Sequence, residues 1–258
     1  MKDKDKNGMD LQKVYDNASY LPEDYRCRLG KYFDSKGDTV WKLQNFPKYV
    51  PRQSLTRFLT RHEIFKNVLD VQGSVVEVGV LGGGSLLSWA HLSSIFEYLN
   101  YQRRIVGFDV FGGDVSPSEK DETGSSLDQY RQGNMGLDSY NDILEGVEVF
   151  DMNRFLSSEP KVELVKGLAQ DSIPKYLEKN PETVVSLLYL DVNLYEPTKA
   201  ALDNFFPRMP KGAVIVFDEV NDRGLPGETL ALIDSIGIRN LALKRYPHDT
   251  KISYAILD

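Results

Sequence analysis

The stretch VVEVGVLGGGS, residues 75–85, constrains the fold of this chain more than any other. Valines at 75, 76, 78 and 80 make a β-branched apolar run suited to a parallel strand buried on both faces. Gly79 ends that strand, and Gly82, Gly83 and Gly84 form a loop whose backbone a ligand can approach without Cβ obstruction. Ser85 is placed to cap the apolar helix LLSWAHLSSIFEYL that follows. Strand, glycine loop and helix in this order build the ligand site of an open α/β sheet at a helix N-terminus.

The spacing narrows the ligand. A dinucleotide fingerprint needs G-x-G-x-x-G, but Gly79 is followed by Val80 and Leu81, so its second glycine is missing. Glu77 lies inside the strand just before the turn, and a second strand, RRIVGFDVF, runs to Asp109, whose carboxylate could bridge two ribose hydroxyls. An acid before the glycine turn and another ending strand two resemble the S-adenosylmethionine (SAM) site of class I methyltransferases.

With 258 residues the chain can bury a full α/β core, and its net charge of −7 argues against nucleic acid as a partner. A small or neutral substrate fits better. The single Cys27 cannot form an internal disulfide, which suits a reducing cytoplasm. No apolar run approaches the length of a membrane span, and the opening MKDKDKNGMD lacks a signal-peptide core, so no membrane partner is expected.

Residues 1–50 read as an extension or cover, its first ten residues too charged to fold by themselves. Tyr15, Tyr20, Tyr25 and Tyr32 make this segment a candidate subunit interface of a homo-oligomer. The main domain is expected over 51–258. Pro51 opens an amphipathic helix with Leu55, Phe58, Leu59, Phe65, Val68 and Leu69 on its apolar side, His62 as a packing residue, and Arg52, Arg57, Arg61 and Lys66 between them. After Asp109, residues 111–144 are irregular, rich in glycine and charge, and read as a substrate-covering lid. Strand three spans Val162–Val165; Gly167 to Gln170 is a candidate cofactor edge, with Asp171 as N-cap of the helix SIPKYLEK. Strand four, VVSLLYLD, ends at Asp191, and strand five, within MPKGAVIVFDEV, ends at Asp218 and Glu219. Two terminal strands, LALKRY and ISYAILD, complete an expected sheet of seven strands, mostly parallel, with helices on both faces.

If strands four and five are neighbours, Asp191, Asp218 and Glu219 converge on the rim beside the glycine loop, since adjacent strands lie about 4.8 Å apart. Three carboxylates at one rim repel one another unless a cation sits between them. An all-oxygen set suits Mg²⁺, or Mn²⁺ or Ca²⁺, better than zinc. Asn193 could add a carbonyl ligand or hold substrate. Aspartates at strand ends also serve merely as caps or loop acceptors.

The pieces EVGVLGGGS, GFDVFGG, LDVNLYEPT and VFDEV, between about Val71 and Glu228, resemble the macrocin O-methyltransferase family. The resemblance implies the class I methyltransferase fold and metal-dependent methylation of a sugar hydroxyl by SAM. It also implies cofactor contacts at Glu77, Gly79, Gly83, Ser85 and Asp109 and metal ligands at Asp191, Asp218 and Glu219; Phe111, Gly167 and Asp171 are further candidate cofactor contacts by their place at the ends of strands two and three. The family's second acid, two positions after the first Asp, is Asn193 here, and a histidine base used by some relatives is replaced by Leu194. Asp191 is then the candidate base. His91 and His248 lie in the helix after the glycine loop and near the C-terminus. Alternatives are methylation of a catechol or other vicinal diol, an NAD-dependent oxidoreductase, and a non-catalytic SAM- or sugar-binding module.

Overall fold

The computed structural model describes residues 23–112, 115–127 and 139–258, and the chain divides into two compact units, Met1–Leu55 and Thr56–Asp258. The expected disorder of residues 1–10, Tyr15 and Tyr20, and the middle of the expected lid, lie outside the described residues. In the first unit, helices α1 (Glu23–Phe33), α2 (Thr39–Gln44) and α3 (Phe46–Tyr49) follow one another. Asp38 starts α2 by accepting a hydrogen bond from Trp41 N at 2.8 Å. The rings of Tyr32 and Tyr49 stack at 5.1 Å, with Trp41 edge-on to Tyr49 at 6.0 Å.

Helix α4 (Arg52–Lys66) leads to the second unit, in which six strands form one sheet: β1 (Ser74–Val78), β2 (Ile105–Asp109), β3 (Val162–Lys166), β4 (Val185–Leu190), β5 (Val214–Phe217) and β6 (Ser253–Ile256). Their order is β3-β2-β1-β4-β5-β6, with β1 to β5 parallel and β6 antiparallel to β5. This is the class I methyltransferase-like arrangement. The chain reverses direction across the sheet between β1 and β4, so the crevice at their C-terminal ends is where such sheets bind ligands.

Alternation along the strands sorts two cores. Val75, Leu187, Tyr189, Val214 and Val216 face α4, α5 (Gly84–Phe96) and α6 (Tyr140–Met152). Val76, Val78, Leu188, Leu190, Ile215 and Phe217 face α7 (Ala169–Lys179), α8 (Tyr195–Phe205) and α9 (Gly227–Ser235). Both faces are covered, and every residue of β1, β4 and β5 is buried, which is why their sequences are apolar at nearly every position rather than alternating, the exceptions being Ser74, Glu77 and Ser186.

Local details depart from the sequence reading. The expected seventh strand, LALKRY, contributes one antiparallel bridge, Lys244 with Tyr254. Pro247 follows closely and has no N–H to extend the ladder. In α4 the buried positions are Thr60, Ile64 and Phe65, whereas Phe58 and Leu59 are exposed, so the apolar stripe is rotated from the expected one. Ser85 does not cap α5: that helix starts at Gly84 with Gly83 as N-cap in a left-handed conformation, and the Ser85 hydroxyl turns to Glu77 instead. Asp171 does not cap α7, which begins at Ala169 with Leu168 as N-cap and leaves Asp171 exposed in the first turn. Of the irregular stretch, Glu119–Asp121 forms a short 3-10 helix and Tyr140 already opens α6. Among the described residues no helix is long and apolar enough to cross a membrane.

At the pole opposite the ligand crevice, buried Arg103 ties the sheet to the turn that follows α4. Its guanidinium donates to Gly73 O (2.8 Å) and Ser186 Oγ (2.5 Å), to Val68 O (2.8 Å) and Val71 O (3.0 Å), and to Glu97 Oε1 (2.6 Å). Removing the fork takes the cation from the largely buried Glu97 carboxylate, which keeps the neutral donors Ser93 Oγ and Asn100 Nδ2, and takes a charged donor from the carbonyls of Gly73, Val68 and Val71. Arg103→Met is expected to lower stability by about 3–5 kcal/mol in urea unfolding, with affinity for S-adenosylhomocysteine retained because the crevice lies at the other end of the strands.

Candidate functional site

The glycine turn is shaped by a close approach. Gly79 has φ +94°, and a Cβ there would lie 2.0 Å from the Asp191 carbonyl oxygen, so the ends of β1 and β4 touch only because residue 79 has no side chain. Gly83, at φ +80°, would drive a Cβ to 2.9 Å from Ile143, whereas Gly84 opens onto free space. Asp109 fixes the turn. Its Oδ2 accepts from Val80 N (2.7 Å) and Leu81 N (3.0 Å), and its Oδ1 from Phe111 N (2.7 Å). Leu81 and Phe111 both adopt positive φ, so one carboxylate holds two strained loops. Phe111 is buried edge-on against Tyr140 at 5.1 Å, and Gly167 N donates to Asp109 O at 2.9 Å, bringing the end of β3 alongside.

Glu77 sits beneath this turn, fully buried, and accepts from Ser85 Oγ at 2.5 Å. Its other oxygen and the Trp89 indole nitrogen are buried without a hydrogen-bond partner of normal geometry. Burial pushes the carboxyl up to about 8, against the Ser85 hydroxyl and the charge of Arg61, which favour ionisation. The group therefore supports the turn from below.

The acids at the ends of β4 and β5 do converge: Asp191, Asp218 and Glu219 each offer an oxygen within 4.8 Å of the others. The register explains it, since Leu190 pairs with Phe217 and the next residues of both strands leave the sheet together. Arg57 grips both oxygens of Asp218 at 2.6 Å, and the buried Tyr189 hydroxyl donates to Asp218 Oδ1 at 2.8 Å. Lys251 Nζ donates to Glu219 Oε1 at 3.0 Å. Burial and the Asp218 charge push Asp191 up to about 7. Burial and three neighbouring acids, Glu228 first, push Glu219 far above the ordinary range. For Asp218 burial opposes ionisation, but Arg57 and Tyr189 outweigh it and hold the carboxyl below its usual value.

Oxygen donors at this separation, two of them desolvated and crowded enough to disfavour their own ionisation, fit a hard divalent cation. Two of the three acids already have a side-chain cation, so an added ion would share oxygens with Arg57 and Lys251. Asn193 stands beside the cluster at φ +63°, with its N–H toward Glu228 Oε1 at 3.3 Å. The histidines are engaged elsewhere: His62 with Glu63, His91 against Phe150 and His248 on Tyr246. Arg57, Tyr189, Lys251 and Glu228 were missed as site residues, because each looked like an ordinary core or surface position; for Arg57 the only signal was its place on a helix leading into β1.

A raised carboxyl pKa has a definite sign in stability. Glu77 is protonated in both states below its ordinary 4.5; between there and about 8 only the unfolded chain ionises, so rising pH removes native stability. Glu77→Gln escapes that loss. Calorimetry of the ligand-free proteins is expected to show the variant gaining on wild type from pH 5 to pH 8, by up to about 1.4 kcal/mol per unit.

A sequence model of the macrocin-O-methyltransferase (TylF) family matches residues 54–226. The crystal structure of CalS11, a calicheamicin methyltransferase, superposes with a TM-score of 0.84 at 31% identity, covering 92% of this chain and 93% of that one. The apo structure of CalS11, described as a TDP-rhamnose 3′-O-methyltransferase of calicheamicin biosynthesis, gives 0.78 at 30% identity over 92% and 95%. The O-methyltransferase NovP shares the fold at a TM-score of 0.62 and 19% identity, over 78% of this chain and 79% of that one. Among curated proteins none matches the chain. With two-thirds of its length inside the family model and a turn and acidic rim arranged as described, the chain belongs to the macrocin O-methyltransferase family of O-methyltransferases.

Proposed function

We propose that this protein methylates a sugar hydroxyl, using SAM as methyl donor and a divalent metal held by Asp191, Asp218 and Glu219. The observation that carries the reading is the acid trio within 4.8 Å on the rim that also bears the glycine turn. The two CalS11 matches support a sugar as acceptor, since one is described as acting on TDP-rhamnose. The family membership and the turn support SAM, whose sulfonium supplies an electrophilic methyl group. A divalent ion bound by the trio would lower the pKa of a sugar hydroxyl.

The chain's own residues do the rest. The turn from Gly79 to Gly83 presents bare backbone to the cofactor, and Asp109, already accepting three N–H bonds, keeps that backbone fixed. Asp191 is the most exposed of the three acids and takes the hydroxyl proton. The freed electron pair forms the new C–O bond as the C–S bond breaks, which leaves S-adenosylhomocysteine and a proton on Asp191. Its placement against Gly79 sets the attacking oxygen beside the cofactor turn, the proximity a bimolecular transfer requires. Residues 115–127, within the irregular stretch, are pinned at their base: Asp121 accepts from Tyr195 N at 2.9 Å and from Ser118 N at 2.8 Å. We assign that stretch the task of covering the acceptor and excluding water.

Titration calorimetry with SAM and S-adenosylhomocysteine, with Mg²⁺ and then with EDTA, tests the cofactor; no binding in either condition sinks the reading. Asp191→Asn is expected to lower turnover of a nucleotide-linked deoxysugar by about 10²–10⁴-fold with S-adenosylhomocysteine affinity within about twofold. Turnover like that of wild type removes Asp191 from the mechanism. EDTA is expected to abolish turnover and added Mg²⁺ to restore it.

A further inference from the structure

The acids of the rim sit on two separate loops, one after β4 and one after β5; the buried Tyr189 hydroxyl reaches the side chains of Asp191 (3.5 Å) and Asp218 (2.8 Å), and a second buried side chain, Glu228, joins the two loop backbones. Glu228, in the first turn of α9, is completely buried. Its Oε1 accepts the N–H of Asn193, at 3.3 Å, and its Oε2 accepts the N–H of Glu219, at 3.0 Å. Oε1 therefore takes its backbone donor from the β4 loop and Oε2 takes its own from the β5 loop. Asn193 lies two residues beyond Asp191, and its left-handed backbone turns its N–H toward the carboxylate. Gly227 makes the approach feasible: a Cβ there would lie 2.5 Å from Tyr195 N and 2.6 Å from the Leu194 carbonyl carbon. The preceding residue is thus glycine so that α9 can press against the β4 loop and deliver Glu228 between the two strand ends. Glu228 falls outside the family-matched residues 54–226.

We infer that Glu228 is a positioning residue which sets the separation of Asp191 from Asp218 and Glu219 and so fixes the cation geometry of the rim. The inference rests on the metal reading proposed above. Parallel strands leave their C-terminal loops unpaired, so nothing in the sheet ladder fixes the distance between the β4 and β5 loops beyond Leu190 and Phe217. Asp218 N donates to Leu190 O at 3.0 Å, the last rung of that ladder, and beyond it the Glu228 carboxylate continues the connection. A carboxyl group suits this task because each of its two oxygens can accept, whereas a glutamine has one carbonyl oxygen and must turn its amide NH2 toward a backbone N–H.

Thr229 provides the control. Its Oγ1 accepts from Asn221 N at 2.9 Å, a bond to the β5 loop alone. Thr229→Val loosens that loop without uncoupling the two.

The test is titration of Mn²⁺ alone, and separately of S-adenosylhomocysteine, into wild type, Glu228→Gln and Thr229→Val, followed by kcat and KM for the sugar acceptor. Glu228→Gln is expected to weaken Mn²⁺ binding by about 10–100-fold, the range for outer-shell partners of metal ligands, and to lower kcat. Its S-adenosylhomocysteine affinity is expected to stay within about twofold of wild type, and Thr229→Val to change neither affinity. Mn²⁺ affinity in Glu228→Gln equal to wild type overturns the inference, as does an equal loss of both affinities in Glu228→Gln and Thr229→Val, which marks a merely structural role. If Glu228→Gln does not fold, Glu228→Asp, with both acceptors but one methylene less reach, takes its place under the same two criteria. Absence of Mn²⁺ binding by the wild type removes the metal reading, and this inference with it.

Discussion

The contact between the ends of β1 and β4 is the constraint on which the site depends. With no side chain at residue 79, the Asp191 carbonyl can come to where a Cβ would stand 2.0 Å away. That approach places the cofactor turn and the first rim acid side by side at the point where the sheet reverses its winding. Other features follow from it. Asp109 locks the turn that Gly79 begins, and Glu77 braces it from the buried face through Ser85. The hydrogen-bond network of Arg103 at the opposite pole lets the strand ends be set by backbone contacts without disturbing the base of the sheet.

A second constraint is electrostatic. Asp191, Asp218, Glu219 and Glu228 lie within one largely buried region, and repulsion together with burial raises three of them above the ordinary range. Arg57 and Lys251 offset part of that cost, and Arg57 concentrates on Asp218, the one acid held low. A region with this balance would gain from a further cation that it could coordinate, which is the physical basis of the proposed divalent-metal site. The family assignment is independent of that step, because it rests on the sequence match over residues 54–226 and on the close structural match to CalS11.

Much of this was legible in the chain as written. The glycine turn, the parallel apolar strands and the acids at their ends are local patterns: periodicity marks a strand, and the residue after its last apolar position stands at the rim. Once strands four and five are neighbours, Asp191, Asp218 and Glu219 must be close, and they are. Helix starts were less legible. Ser85 and Asp171 have the side chains of caps, yet tertiary contacts let α5 begin at Gly84 and α7 at Ala169, since a buried Glu77 was a better partner for the Ser85 hydroxyl than the helix N-terminus.

The sequence by itself determined the fold family, the turn and the rim acids, because each is fixed by neighbouring residues and strand length. Tertiary structure decided which side chains serve those acids. Arg57 reaches Asp218 across 161 residues of chain, and Glu228 reaches Asn193 across 35. Neither pairing has a local signature: an arginine on an amphipathic helix and a glutamate in a first helical turn are ordinary wherever they occur. Only the packing of α4 and α9 against opposite faces of one sheet carries both to the same edge, where burial turns common charged residues into specific partners.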